Sequence, residues 1–182
     1  MKKAFEYEIV LIAAITPSGI IGNNGKLVFN NRRDKEILNN YIKDCPVIIG
    51  RKTWESLPKN AMKDSYKIVM SNDSSWEFCS YDTIIVHSMF DAISTAERVL
   101  GEKKIVCVVG GSQIYNEILD YGVVDHAMIS LTEEELPGDC YFHFPPKEGW
   151  REIMRITFPK EESDTCGFDL IRYDRLYDDT YG

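Results

Sequence analysis

An acid stands among apolar residues in "RRDKEILNNYI", residues 32–42. Read as a helix, this segment lines up Ile37, Leu38, Tyr41 and Ile42 on one face. Asp34 lies three and four residues before Ile37 and Leu38, so it falls on the same stripe. Two readings of that carboxylate stay open at this point. It is a first-turn acid favoured by the helix dipole, or an acceptor aimed into a cleft. Asn31 stands three residues before it, in position to cap the helix.

Three further stretches could do chemistry. "VVGGSQIY", residues 108–115, brings Gly110 and Gly111 to a helix start, where free N–H groups and the helix dipole attract phosphate. Glycines there let a ligand approach the backbone. "IIGRKTW", residues 48–54, repeats the arrangement with Gly50 and adds Arg51, Lys52 and Thr53. Two cations at a helix N-terminus oppose the dipole, and a bound anion would offset that cost. "IVMSN" places Ser71 and Asn72, two small hydrogen-bonding side chains, at a third strand end. Two phosphate-friendly turns on one sheet suit a ligand with several phosphates, such as a dinucleotide. Each signal is weak alone: Gly-Gly before a helix is often a tight turn, and Arg-Lys often faces solvent. The first glycine loop also lacks the G-x-G-x-x-G spacing of the common dinucleotide fingerprint.

The elements that must position these residues are legible from periodicity. "YEIVLIAAI" reads as a buried strand ended by "TPSG", and "IIGNNGKLVFNN" as a long loop before the Asp34 helix. Strands follow at "CPVIIG", "YKIVMS", "TIIVH", "KIVCVVG" and "HAMISLT". Between them come a short helical turn "RKTWESL", a helix at 88–101 with Ser88 and Asp91 in capping-box spacing, and a helix "SQIYNEILDYG". Alternation of strands and helices through residue 131 predicts a largely parallel sheet covered on both faces. "WREIMRITF" and "GFDLIRYDRL" close the chain as an antiparallel edge hairpin, followed by an acidic, solvated tail. Ligands in such sheets sit at the carboxyl ends of the strands, where the three stretches fall.

Length and composition bound the rest. The 182 residues fit one α/β domain with a sizeable core. A formal net charge of −8 argues against nucleic acid as a partner. The apolar run "IVLIAAI" is far too short to span a membrane, and the early Glu6 and Glu8 make a poor signal peptide. Five cysteines without a CxxC pair predict free thiols in a reducing cytoplasm. Three scattered histidines give no metal site.

Taken in order, "LIAAI…GIIG", the helix with one acid, "PVIIGRKTWESLP", "IVMS", "VVGGSQIY", "GDCYF" and "FDLIRYDR" resemble the dihydrofolate reductase family. The resemblance runs from about Ile9 to Leu176, and the implied domain spans 1–182 with its core at about 7–176. It implies a mixed, mostly parallel eight-stranded sheet with about four helices, acting as a cytoplasmic monomer in one-carbon metabolism. NADPH is the implied cofactor. Gly50, Arg51, Lys52 and Thr53 would hold its phosphates, with Arg51, Ser71 and Asn72 near the 2′-phosphate and His87 beside the adenosine. The turn Gly110, Gly111, Ser112, Gln113, Ile114 and Tyr115, preceded by Val109, would hold the diphosphate, with a cis bond between the two glycines. Ala14 would face the nicotinamide beneath a mobile lid of Ile20, Ile21, Gly22, Asn23, Asn24, Gly25 and Lys26.

On the substrate side the resemblance makes Asp34 the acceptor for the 2-amino group and N3–H of a pterin. Ser130, where the family carries threonine, would bridge Asp34 and the ring. Tyr115 completes the implied catalytic set. Ile12, Ala13, Lys35, Leu38, Leu57, Met62 and Val109 form the rest of the implied folate wall. The implied reaction reduces 7,8-dihydrofolate to tetrahydrofolate by hydride transfer to C6 and protonation at N5.

Several positions depart from the family pattern. Val28-Phe29 stand for Pro-Trp, whose ring N–H orders a water near the pterin. Lys35 stands for an apolar residue, Gln113 for one that is often basic, and Ser65 for the arginine that grips the glutamate tail. Lys63 and Lys67 lie nearby but lack the guanidinium fork. The alternatives are therefore a same-fold NADPH-dependent reductase of another pterin or pyrimidine, and a non-catalytic NADPH-binding member.

Overall fold

The computed structural model describes residues 5–78 and 80–177. Cys79 and the end of the acidic tail lie outside them. Fifteen elements run in chain order: β1 (Glu8–Ile15), β2 (Ile20–Asn23), β3 (Lys26–Leu27), α1 (Arg32–Ile42), β4 (Pro46–Gly50), α2 (Arg51–Ser56), β5 (Tyr66–Met70), β6 (Thr83–Val86), α3 (Met89–Arg98), β7 (Ile105–Val108), α4 (Ser112–Asp120), β8 (His126–Thr132), β9 (Cys140–Tyr141), β10 (Trp150–Phe158) and β11 (Phe168–Arg175).

Eight strands form one sheet in the order β10-β11-β8-β1-β7-β4-β5-β6. β1 pairs in parallel with both β7 and β8, and β4 in parallel with β5 and β7. β11 runs antiparallel to β8 and to the edge strand β10, as the closing hairpin predicts. Central strands are continuous apolar runs because both faces are covered. Ile9, Val10 and Leu11 of β1 and Val47, Ile48 and Ile49 of β4 are inaccessible to solvent. One face packs on α3 and α4 through Met89, Ala92, Ala96, Ile114 and Ile118. The other packs on α1 and α2 through Leu38, Tyr41, Ile42 and Trp54.

β7 inserts between β1 and β4, so the chain turns opposite ways as it leaves neighbouring strands. This reversal opens a crevice at their carboxyl ends. It collects the loop after β1, the turn into α2 and the turn into α4.

The predicted caps hold. The Asn31 side chain accepts from the Asp34 N–H at 3.2 Å, and Ser88 accepts from the Asp91 N–H at 3.1 Å. Each such cap contributes about 1 kcal/mol. The predicted long loop after β1 needs correction, because part of it is sheet. Gly22 pairs with Leu27 and Asn23 with Lys26, around a turn at Asn24 and Gly25 with φ of 49° and 74°. Asn-Gly tolerates that left-handed geometry and is the standard signal for a tight hairpin. β9 then adds to β2 as a third strand. Among the described residues, Cys45, Cys107, Cys140 and Cys166 are free thiols, and no helix is long and apolar enough to cross a membrane.

Candidate active site

Two glycine turns meet at the crevice. The Gly50 N–H donates to the Gly110 carbonyl at 2.7 Å, and the Val109 N–H to the Ile48 carbonyl at 3.1 Å. The Gly110–Gly111 peptide is cis, and Gly110 has φ +104°. A Cβ on Gly110 would sit 2.9 Å from the Tyr115 ring, and one on Gly111 2.9 Å from Thr53 Oγ1. Glycine at Gly110 is therefore demanded by the Tyr115 ring of its own turn, and at Gly111 by the packing of the α2 turn against it. Gly50 and Gly111 also open α2 and α4 without any side-chain cap.

Above these turns lies a cavity of about 580 Å³. It gathers the residues from Gly50 to Thr53, Ser71 and Asn72, and those from Gly111 to Ile114, all expected from sequence. Ala14, residues 20–26, His87, Val109, Gly110 and Tyr115 are not among its lining residues. The His87 ring instead sits against the cavity's edge, with Nδ1 2.7 Å from the Ser71 carbonyl oxygen. Met70, Asp73, Glu117 and Cys140 line the cavity without having been expected. Glu117 follows Gln113 by four residues, so helical spacing could have found it. Cys140 arrives through the β9–β2 pairing, which leaves no local signal.

Charge in this cavity centres on Arg51. Its guanidinium lies 2.9 Å from Asp73 Oδ2, 3.5 Å from Glu55 Oε1 and 5.1 Å from the centre of the Trp76 ring. Hydrogen bonds from Ser75 and from Arg51 hold the Asp73 carboxyl down at about 2.

Asp34 lies at the mouth of a second wall. α1 carries it over β8, where Ser130 Oγ donates to Asp34 Oδ1 at 2.5 Å. Burial pushes the Asp34 carboxyl above its ordinary value, opposed by that hydrogen bond and by the Lys35 charge. Tyr115 is buried, stacked on Phe142 at 4.5 Å, and donates its hydroxyl to the Ile12 carbonyl at 2.7 Å. Burial, then the nearby Asp34 charge, push its phenol far up, so it stays neutral.

Ile12, Leu38, Leu57, Met62 and Val109 share one apolar cluster, as expected of a wall. Met62 is buried within it, with φ 55°. The Ala13 side chain is not part of that wall. It packs with Ile9, Leu11 and Ile15 on the α3–α4 face, because strand alternation sends it there. Lys35 is exposed, and its ammonium bonds Asn30 Oδ1 at 2.5 Å.

The family departures have structural counterparts. Ser65 is buried and donates to the Ile42 carbonyl at 2.9 Å, at the end of α1. Lys67 is buried and paired with Asp82, so it is committed elsewhere. Phe29 is buried and meets Phe168 edge-on at 5.4 Å.

The arrangement has relatives. The family model described as dihydrofolate reductase matches residues 8–175. Dihydrofolate reductase of Candida albicans is 31% identical over 180 residues, covering 90% of this chain and 89% of that one. The Staphylococcus haemolyticus enzyme of the same name is 27% identical, with 93% and 96% covered. In fold, the chain superposes on dihydrofolate reductase from Enterococcus faecalis complexed with NADP(H) and RAB-propyl. The TM-score is 0.82 at 19% identity, over 93% of this chain and 97% of the other. By its sequence across nearly all its length, the chain belongs to the dihydrofolate reductase family.

Proposed function

We propose that the protein reduces 7,8-dihydrofolate to 5,6,7,8-tetrahydrofolate with NADPH. The observation that carries this reading is the Asp34–Ser130 pair beside the double-glycine cavity. A helix cap has no use for a serine on β8. A pterin has a use for both groups.

The cavity suits a dinucleotide. Its backbone N–H groups at the α2 and α4 starts lack side-chain caps, and Arg51 and Lys52 supply positive charge. Gly111 itself lines the cavity, so its side-chain-free backbone faces the ligand, as a diphosphate requires. When bound, NADPH would supply a hydride from C4 of its nicotinamide to C6 of the pterin. This binding assignment agrees with the E. faecalis relative, whose structure is described as complexed with NADP(H).

The chain's own residues would bind, orient and shield. Asp34 accepts from the 2-amino group and N3–H of the ring, fixing which face and edge meet the cofactor. Ser130 holds the carboxylate in place through its 2.5 Å bond. With its carboxyl raised by burial, Asp34 also favours protonation of the ring it pairs with. Tyr115 donates to the Ile12 carbonyl and so fixes the second half of β1, without a proton to give at neutral pH. Ile12, Leu38, Leu57 and Val109 keep water from the reacting edge.

One observation favours a broadened substrate. Ser65 is buried and Lys67 is tied to Asp82, so neither is free to grip a glutamate tail. Loss of a charge-assisted pair costs roughly 1.5–3 kcal/mol of affinity. NADPH oxidation should therefore proceed with dihydrofolate and with a dihydropterin lacking the glutamate, with KM values within about tenfold of each other. No turnover with dihydrofolate, but turnover with the bare pterin, would replace this reading with that of a pterin reductase. NADPH binding without any turnover would leave a non-catalytic member of the fold.

A further inference from the structure

The cavity contains an acid where a phosphate binder should be purely basic. Asp73 lines it beside Ser71 and Asn72, and its Oδ2 sits 2.9 Å from Arg51 Nη1. It is firmly held. Oδ1 accepts from the Ser75 N–H at 3.0 Å and the Ser75 hydroxyl at 2.6 Å, and the Asp73 N–H donates to Ser71 Oγ at 3.2 Å. Arg51 is in turn held from its other sides by Glu55 and the Trp76 ring. The cation is thus already neutralised by a carboxylate locked into the loop that follows β5.

We propose that Asp73 sets cofactor choice, competing with the 2′-phosphate of NADPH for Arg51 and accepting the 2′-hydroxyl of NADH instead. The inference rests on the reading that this cavity takes NADPH.

The physics runs in one direction. A phosphate that reaches Arg51 must come close to Asp73, and both are negative. Ser75 keeps Asp73 from swinging away, and Asp73 stays ionised throughout the neutral range. Lys52, exposed in the same lining, is the remaining cation to offset the repulsion. A ribose hydroxyl meets the opposite situation. A carboxylate is the usual acceptor for the 2′-OH of NADH-type nucleotides, because it accepts that hydrogen bond and repels the phosphate. NADPH and NADH are therefore closer in affinity than an unopposed arginine would make them.

The test is direct binding of NADPH and NADH, by quenching of tryptophan fluorescence, to the wild-type chain and to Asp73→Asn. Asparagine keeps the Oδ1 acceptor for Ser75 and removes the charge; Asp73→Ser is the second variant should the turn be disturbed. Removing one negative charge beside a phosphate should tighten NADPH roughly tenfold, while NADH is unchanged or weakened. Asp73 loses this role if the ratio of the two affinities stays the same, or if NADPH binds more weakly to the variant. The latter would make Asp73 a holder of Arg51. A wild-type chain that binds neither nucleotide overturns the cofactor reading, and this inference with it. A wild-type chain that binds NADPH, with a ratio unmoved in both variants, overturns the inference alone.

Discussion

Ser130 donates its hydroxyl to Asp34 at 2.5 Å, joining β8 to the first turn of α1 across the mouth of the crevice. The carboxylate is thus turned away from its own helix end, where the Asn31 side chain already caps the Asp34 N–H. Capping is carried by Asn31, which leaves the Asp34 carboxylate to Ser130. Asp34→Asn should therefore leave the cap intact and lower turnover at neutral pH by roughly 10²-fold or more. NADPH affinity, measured by fluorescence titration, should stay within about twofold of wild type, because the cavity at the two glycine turns does not include Asp34. Equal losses in both would make Asp34 a structural residue.

The same variant has a stability signature. Burial raises the Asp34 carboxyl above its unfolded value. A group raised in this way contributes stability that is complete below its unfolded pKa and is lost as pH rises through its folded pKa. At neutral pH the ionised carboxylate is therefore a net cost to the fold. Asp34→Asn should melt at a higher temperature than wild type at pH 7, and the gap should shrink as pH falls from 7 towards about 4, where the carboxyl is protonated in both states. Melting curves across that range check the sign; a variant less stable at pH 7 would mean that the Ser130 bond outweighs the burial.

Much of this arrangement was legible beforehand, and the exceptions share a cause. Parallel strands are continuous apolar runs, and glycine turns at their ends punctuate them, so β4, β7 and their helices could be read locally. Asp34 was visible because helical spacing put an acid on an apolar face. Cys140 and Asp73 were not. Cys140 owes its place to strand pairing with β2, over a hundred residues earlier. Asp73 was hidden because a sequence shows a charge but not that Arg51 will turn towards it. The hairpin of β2 and β3 was missed for a different reason. Its Asn24-Gly25 signal was present but the flanking strands are two to four residues long, too short for periodicity to register. Ala13 shows the reverse case, since period-two alternation along β1 sends it to the opposite face from Ile12.

Ser65→Arg should not restore recognition of a glutamate tail. Ser65 is buried and its hydroxyl closes the last turn of α1 by donating to the Ile42 carbonyl at 2.9 Å. An arginine there loses that bond, leaves the Ile42 carbonyl to the Cys45 N–H alone and must push its fork out past Ile42, which is itself buried. Forcing the larger side chain into this buried position should cost roughly 1–3 kcal/mol in denaturant unfolding. The KM for dihydrofolate relative to the bare pterin should not improve. A tenfold fall in that ratio would show that the position still faces the tail.

Phe29→Trp tests the other substrate-side departure. The Phe29 ring is 4% exposed and meets Phe168 edge-on at 5.4 Å, while Phe168 stacks on Phe158 at 5.0 Å. Val10, Met128, Cys166 and Leu170 complete the cluster. The ring is thus a packed member of the core, and an indole must find extra volume there as well as a partner for its N–H. Overpacking of this kind costs about 1–3 kcal/mol. The variant should melt a few degrees lower than wild type and gain no turnover. An unchanged melting temperature with a higher kcat would mean that the site has kept room for the indole and for the water its N–H would order. In that case the phenylalanine limits the protonation step and is no mere filler of the core.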